Sequence, residues 1–314
     1  MSSNRKIVIG LCTFLRNQML DGALESLLRM DLPTDVSVEL VLVDNDPNGG
    51  ARDLFEYYHA IFPFNSYYFI EPKQGVVYAR NRVIDEALKL EATEIAFIDD
   101  DEIVSEQWLT ALWNFYRDSF FTGVCGPMYR LLPPETDQVL LKFWQNYQQY
   151  KTGEERVMYC NNCLFSTNIV RPDKMNIRFD EFFNQIGGED SIFSLNAINQ
   201  GARFAHVSEA ITIERFSKTR ATFGYLLRRH FGSGSLLPIA LKRAYSRKVW
   251  RLFLSHFPRL IVHAIFAPFA ILFGRYKFWK NLVKLSEDAG VITGCFGKSY
   301  KHYIPKNILK ESQV

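Results

Sequence analysis

Apolar positions in the first third of the chain follow two alternating rhythms. Residues 7–11, 67–70 and 95–98 are short apolar runs, and 38–43 is another interrupted only at Glu39, the pattern of strands buried on both faces. Between them, apolar residues recur every three or four positions. Leu20, Ala23, Leu24, Leu27 and Leu28 form one such stripe, residues 53–61 a second, and Ala79, Val83, Ile84, Ala87 and Leu88, after Gly75, a third. Pro33 and the run DNDPNGG at 44–50 punctuate the rhythm. Strands alternating with helices in this way predict βαβ units, and therefore an α/β fold with a mostly parallel sheet and helices on both faces.

The pattern loosens further on. Residues 123–132 predict a strand leaving the core, 162–169 another apolar run, and 210–213 a short strand. Ile192, Phe193, Leu195, Ala197 and Ile198 predict a helix that starts just after Gly187-Gly188. From Tyr225 the chain becomes basic and helical, and residues 260–273 are apolar but for one His and one Pro.

In parallel sheets ligands bind beyond the carboxyl ends of the strands. That rule selects Thr13, Asp44 to Asp46, and the acidic run Asp99-Asp100-Asp101-Glu102. Four adjacent acids repel one another and add nothing to a core. A divalent cation would relieve them, because Mg²⁺ and Mn²⁺ take hard oxygen ligands and are often held by one or two carboxylates plus a substrate phosphate. If the segment is extended, Asp99 and Asp101 share a face and are the metal candidates, while Asp100 and Glu102 point elsewhere and are expected to be solvated or to sit behind the ligands. Asp100 is the reserve ligand. No GxGxxG follows the first strand and no GxxxxGK[ST] occurs, which excludes those two phosphate-binding motifs.

At 314 residues the chain exceeds a typical domain of ~100–200 residues. A division into 1–235 and 236–314 is expected. Charge is uneven: residues 1–214 carry 18 Lys and Arg against 31 Asp and Glu, and residues 215–314 carry 19 against 3. The basic tail around a short apolar run suits an anionic membrane surface, with an interfacial or re-entrant helix rather than a clean span. No nucleic-acid motif accompanies the charge. Five cysteines, an odd number, and a polar N-terminus suggest a reducing, cytoplasmic setting. Cys160-Asn-Asn-Cys163 lacks a second pair and is expected to be structural.

Several blocks occur together in a telling order. IVIGLCTFLR, LVLVDND, GVVYARNRVIDEA, IAFIDDDEIVSEQWL, FDEFFNQIGGEDSIF and ERFSKTRATFGYLLRRHFGSG span Ile7 to about Gly234. They resemble the ordered motifs of the family-2 glycosyltransferases of the GT-A fold. The resemblance implies an inverting, metal-assisted transfer, with Mn²⁺ or Mg²⁺, from a nucleotide-diphosphate sugar to a glycan or lipid-linked acceptor. It would place Thr13, Arg16 and Asp44 at the nucleotide base and Arg80 near the base or the diphosphate. Asp99 would sit at the ribose or metal, Asp101 at the metal with Asp100 in reserve, and Glu189 and Asp190 on the acceptor side with Asp190 as general base. Arg228 and Arg229 fall where relatives carry a basic segment near the diphosphate or acceptor. The Gln-x-x-Arg-Trp of membrane-embedded polysaccharide synthases is absent, so transfer of one sugar per encounter is expected. A sugar nucleotidyltransferase and a non-catalytic membrane-associated module are the alternatives. The first lacks its Gly-rich basic loop after strand one, and the second has no use for the carboxylates.

Overall fold

The computed structural model describes residues 5–145, 150–245 and 249–300. Contacts divide the chain into two compact units. The first comprises residues 1–131, 147–181 and 189–215, and the second 132–146, 182–188 and 216–314.

The first unit opens with the predicted βαβ rhythm: β1 (Lys6–Thr13), α1 (Asn17–Arg29), β2 (Ser37–Asp44), α2 (Arg52–His59), β3 (Asn65–Ile70), α3 (Val76–Lys89) and β4 (Glu94–Asp99). Then come β5 (Glu102–Val104), α4 (Trp108–Arg117), β6 (Gly123–Cys125) and β7 (Met128–Leu131). The second unit contributes α5 (Gln138–Trp144). The chain returns to the first unit with β8 (Asn162–Ser166), α6 (Glu189–Asn199), β9 (Phe204–His206) and β10 (Thr212–Arg215). Seven strands form one sheet in the order β3-β2-β1-β4-β8-β6-β9, and β5-β10-β7 form a second. The first four are parallel, while β8 runs antiparallel to both β4 and β6. The chain winds outward from β1 through β2 to β3, then returns to place β4 on the other side of β1. The crevice between β1 and β4 is therefore a topological switch point, where such sheets bind ligands. Cys12 pairs with Asp99 across it, and on the other side of β1 Thr13 pairs with Asp44 of β2.

Both faces of the sheet are covered. Ile7, Ile9, Leu11, Leu40 and Leu42 meet Leu20, Leu24, Leu27, Trp108 and Leu112 from α1 and α4. On the other face Val8, Val41, Val43 and Phe97 meet Val77, Val83, Ile84 and Phe193 from α3 and α6. Alternate strand residues feed the two layers, as the pleat requires. Gly10 lets α3 lie close on β1: a Cβ there would fall 2.4 Å from Cγ1 of Val83. That approach brings the start of α3 to the end of β1.

Two expected elements take a different form. The strand expected at 123–132 is broken at Gly126-Pro127, so β6 joins the large sheet and β7 the small one. A Cβ on residue 126 would lie 1.9 Å from the Ala210 carbonyl oxygen, so the chain passes too close to β10's approach to stay regular. The run at 162–169 is β8 followed by a 3-10 turn, Thr167–Ile169, with the Ser166 hydroxyl capping it. Cys160 and Cys163 are free and buried, in keeping with a structural role. The asparagines between them carry the polar work: Asn161 donates to Oε1 of Glu102 at 2.8 Å, and Asn162 donates to the Pro127 and Ala210 carbonyls.

The second unit adds α7 (Phe223–Tyr245), α8 (Trp250–Ala270) and α9 (Arg275–Cys295). Gly234, Gly290 and Gly294 bring α7 and α9 together closely enough that any Cβ would meet the opposing backbone at 2.1–2.3 Å. The tail's apolar helix is longer than the apolar run suggests. With a 3-10 turn it extends from Trp250 to Phe273, 24 residues with a mean hydropathy of 1.5 over the most apolar 18, long and apolar enough to cross a membrane. The polar residues that interrupt the sequence pattern are absorbed by α9. His256 Nδ1 lies 2.6 Å from Oδ1 of the buried Asp288, Arg259 lies 3.4 Å from the same oxygen, and His263 Nε2 lies 3.7 Å from Oδ2. Leu254, Phe257, Ile261, Ile265, Phe266 and Phe269 face outward, exposed.

Candidate active site

The strand ends at the switch point carry two buried or half-buried cations, Arg80 and Arg16, each bonded to predicted carboxylates of the first unit. Arg80 lies in the second turn of α3, on the face that packs against the sheet, and is almost fully buried. Its Nη2 donates to Oδ1 of Asp99 at 2.9 Å, and its Nη1 to Oε1 of Glu189, also at 2.9 Å. Burial works against the charge, but Asp99 and Glu189 outweigh it and raise the Arg80 pKa well above its ordinary value. One guanidinium thus ties the acidic strand tip to the first residue of α6, which lies 109 positions after Arg80 itself.

Two protein groups meet the middle of the acidic run. Thr13 Oγ1 donates to Oδ2 of Asp100 at 2.8 Å, and Arg16 Nη1 donates to Oδ1 of Asp100 at 3.0 Å and to Oδ2 of Asp101 at 3.4 Å. Adjacent aspartates therefore reach one guanidinium, which an extended segment would not allow. The chain leaves β4 after Asp99 and makes a turn at Asp100-Asp101, so the alternation expected for the run ends there. Of the two places expected for Asp100 and Glu102, solvent or a seat behind the ligands, their burial leaves the second. Asp99 is the exposed member, with 38% of its side chain accessible.

The cluster carries more negative charge than its cations balance. Burial raises the pKa of Asp100, with Arg16 opposing. Burial, then Asp99, Asp100 and Glu214, push Asp101 up to about 6. Burial raises Glu102 well above the carboxylate range. Glu189 is pushed up to about 7, chiefly by burial, with Arg80 opposing and Asp190 adding to the rise. Among the described residues no three acidic, His or Cys side chains are gathered into a cation cage. The donors are nonetheless all hard oxygens, and among the described residues no donor reaches Asp99 Oδ2. They fit a divalent cation held by one or two carboxylates with a ligand's phosphates completing the shell.

Asp190 sits beside this centre. Gly187 and Gly188 turn the chain into α6 with φ of 78° and 83°, a left-handed region that favours glycine. The Asp190 carboxylate bends back so that Oδ1 accepts from the Ser191 backbone N–H at 2.6 Å and from Ser191 Oγ at 3.3 Å. Among the described residues no donor reaches Oδ2.

Asp44 is more enclosed than a surface contact would be. Its Oδ1 accepts from the Asp46 N–H, and its Oδ2 from the Ala51 N–H and the Tyr68 hydroxyl, at 2.7–2.9 Å. It shapes the β2–α2 loop, and lone pairs remain for a ligand. One residue that the sequence reading missed belongs here, Tyr68, which orients Asp44. Asn45, inside the selected run 44–46, ties three loop groups together, donating to the Glu71 and Lys73 carbonyls and accepting from the Gly75 N–H. Arg228 and Arg229 lie exposed on α7 in the second unit, with Arg229 6.0 Å from the Trp144 ring.

The pattern of the family described as Glycosyl transferase family 2 matches residues 8–172. The chain belongs to this family. A glycosyltransferase of this family is thus an enzyme that transfers a sugar, and the α/β architecture is that of the GT-A fold. The chain is 29% identical over 253 residues to the succinoglycan biosynthesis protein ExoM of Rhizobium meliloti (strain 1021), covering 79% of this chain and 80% of that one. Among solved structures it is similar to S. aureus TarS 1–349 in complex with UDP, at 16% identity and TM-score 0.54, covering 96% of this chain and 94% of that one. It is also similar to the mannosyltransferase PcManGT of Pyrobaculum calidifontis in complex with GDP-Man and Mn²⁺, at 14% identity and TM-score 0.60, covering 95% and 89%. At these identities the two structures establish the fold this family-2 glycosyltransferase shares.

The charge imbalance has a measurable consequence. A carboxylate with a raised folded pKa contributes stability below its unfolded pKa and loses it as pH rises through the folded value. Asp101, at about 6, loses its contribution between pH 4 and 7. His206 and His230, whose pKa values burial lowers, push the other way near pH 6, so the variant comparison isolates the carboxylate. In chelator, wild type should lose up to ~3 kcal/mol relative to Asp101→Asn across that window, measured by urea denaturation. A pH-independent difference would remove Asp101 from the buried, uncompensated set.

Proposed function

We propose that this family-2 glycosyltransferase moves a sugar, with inversion, from a UDP-linked donor to a hydroxyl of a glycan or lipid-linked acceptor. The observation that carries the reading is the Arg80 bridge, which holds the strand-end aspartates and the Glu189-Asp190 pair in one site. The complexes of related folds support the donor class: TarS with UDP-GlcNAc and PcManGT with GDP-Man and Mn²⁺.

Inversion is an in-line displacement. The acceptor oxygen bonds to the anomeric carbon as the bond to the diphosphate breaks, and the hydroxyl proton passes to a base on the acceptor face. Asp190 takes that role. Ser191 fixes one of its oxygens and leaves the other for the proton. Glu189 anchors Arg80, and through it the angle of Asp99. Asp99 and Asp101, with Asp100 in reserve, would hold Mn²⁺ or Mg²⁺, which when bound neutralises the departing diphosphate. Arg16, partly exposed and already aligned by Asp100 and Asp101, faces the donor together with Thr13, and Asp44 and its loop receive the base.

The second unit supports a seat for the enzyme on the cytoplasmic face of a membrane. Outward apolar side chains of α8, flanked by Arg251, Arg275, Lys277 and Lys280, form an interfacial helix. Arg228 and Arg229 add to the basic surface of the same unit.

With Mn²⁺ present, the wild type should release UDP from a UDP-sugar, and Asp190→Asn should reduce transfer at least ~100-fold while UDP affinity stays within about twofold, measured by calorimetry and product assay. Retained transfer would remove Asp190 as base, and absence of any nucleotide-sugar binding would sink the donor assignment. For the membrane, replacing Ile261, Ile265 and Phe269 together with serine should release the protein from vesicles of phosphatidylglycerol and phosphatidylethanolamine in a flotation assay. Unchanged flotation would exclude α8 as the contact.

A further inference from the structure

The segment just before β8 carries an arrangement that the donor-side chemistry does not use. Met158 and Cys160 are fully buried, while Tyr159 between them is 41% exposed. The alternation turns one aromatic ring outward from a fixed backbone. The backbone is fixed to α6 itself, because Ser194 Oγ donates to the Met158 carbonyl. Ser194 is four residues after Asp190, one helical turn along the same face. Tyr159 is thereby held next to the end of α6 that presents the proposed base, and the Asp190 charge adds to burial in raising the Tyr159 phenol pKa.

A cation braces the ring from the side. The Arg156 guanidinium stacks 4.1 Å from the Tyr150 ring centroid and 5.7 Å from that of Tyr159. Its Nη1 lies 3.3 Å from His206 Nδ1, and burial lowers the His206 pKa, which favours the neutral ring as acceptor. Tyr150 also packs on His206, with ring centroids 5.4 Å apart. A single exposed tyrosine is ordinary on a protein surface. One cross-braced by a guanidinium, tied to the catalytic helix and beside an unpartnered carboxylate oxygen is a different arrangement.

Its chemistry matches one kind of ligand. A pyranose presents an apolar face of C–H groups and a rim of hydroxyls. An electron-rich phenol face takes the first, while a carboxylate at its edge takes a proton from the second. We propose that Tyr159, braced by Arg156 and Tyr150, is the platform on which the acceptor's pyranose ring stacks so that one of its hydroxyls meets Asp190. The inference rests on the assignment of Asp190 as base and names the acceptor class at that site, a sugar ring rather than a bare lipid alcohol or a protein side chain.

The test is saturation-transfer NMR on the full chain with UDP and Mn²⁺, using methyl β-D-glucopyranoside and methyl β-D-galactopyranoside as probes. Wild type should saturate the ring C–H protons of at least one probe. Tyr159→Ala should weaken that probe roughly fivefold, the scale of one aromatic contact, while Tyr159→Phe stays near wild type and UDP affinity is unchanged in both. No saturation of either probe by wild type, equal binding by Tyr159→Ala, or equal loss in Tyr159→Phe would each overturn the platform. A parallel loss of UDP affinity in Tyr159→Ala would do the same by marking the ring as structural. Failure of wild type to bind UDP would instead sink the donor assignment, which the probe signals do not test.

Discussion

A buried guanidinium shared by two carboxylates from distant parts of the chain is the interaction on which the rest of the first unit turns. Arg80 is charged, desolvated and committed on both sides, to Asp99 and to Glu189. Removing one partner of such a buried pair typically costs about 3–5 kcal/mol, because the other charge is stranded. The pair therefore constrains the fold around it. α3 must lie close enough on β1 for Arg80 to reach the strand tip, which Gly10 allows, and α6 must begin where Glu189 can meet the same group. Two segments that carry different halves of the proposed reaction are thus fixed in mutual register before any ligand binds.

The same constraint explains why so acidic a turn survives. Asp100, Asp101 and Glu102 are buried with Arg16 and a handful of neutral donors for company, and burial raises the pKa of each. On the proposed reading, a site with surplus carboxylate charge and an exposed aspartate gains from a cation and an anion arriving together, and stability given up in the empty state returns as affinity in the loaded one.

Much of this was legible in the pattern of the chain. Four apolar runs became the four parallel strands, and the rule that ligands gather at strand ends pointed to Thr13, Asp44 and Asp99–Asp101 before any geometry was known. What the pattern could not carry was conformation within the acidic run. Period-two reasoning assumes an extended chain, and the turn at Asp100-Asp101 breaks it, so it left open whether Asp100 and Glu102 meet solvent or sit behind the ligands. Nor could it show that Asn45 and Tyr68 spend their polar atoms holding loops, since such contacts join residues remote in sequence. The apolar run in the tail looked too short for the same reason: His256, Arg259 and His263 read as interruptions until Asp288 of another helix is seen to receive them.

The central claim is that one site joins a cation held by Asp99 and Asp101 to the carboxylates of α6 through Arg80. Anomalous diffraction from crystals grown with UDP and Mn²⁺ addresses it most directly. The account predicts a single strong peak against the Asp99 and Asp101 carboxylates, with the UDP phosphates on the same ion and Arg80 still spanning Asp99 and Glu189. UDP bound at the β1–β4 crevice with the manganese elsewhere, or with Arg80 withdrawn from Glu189, would contradict it.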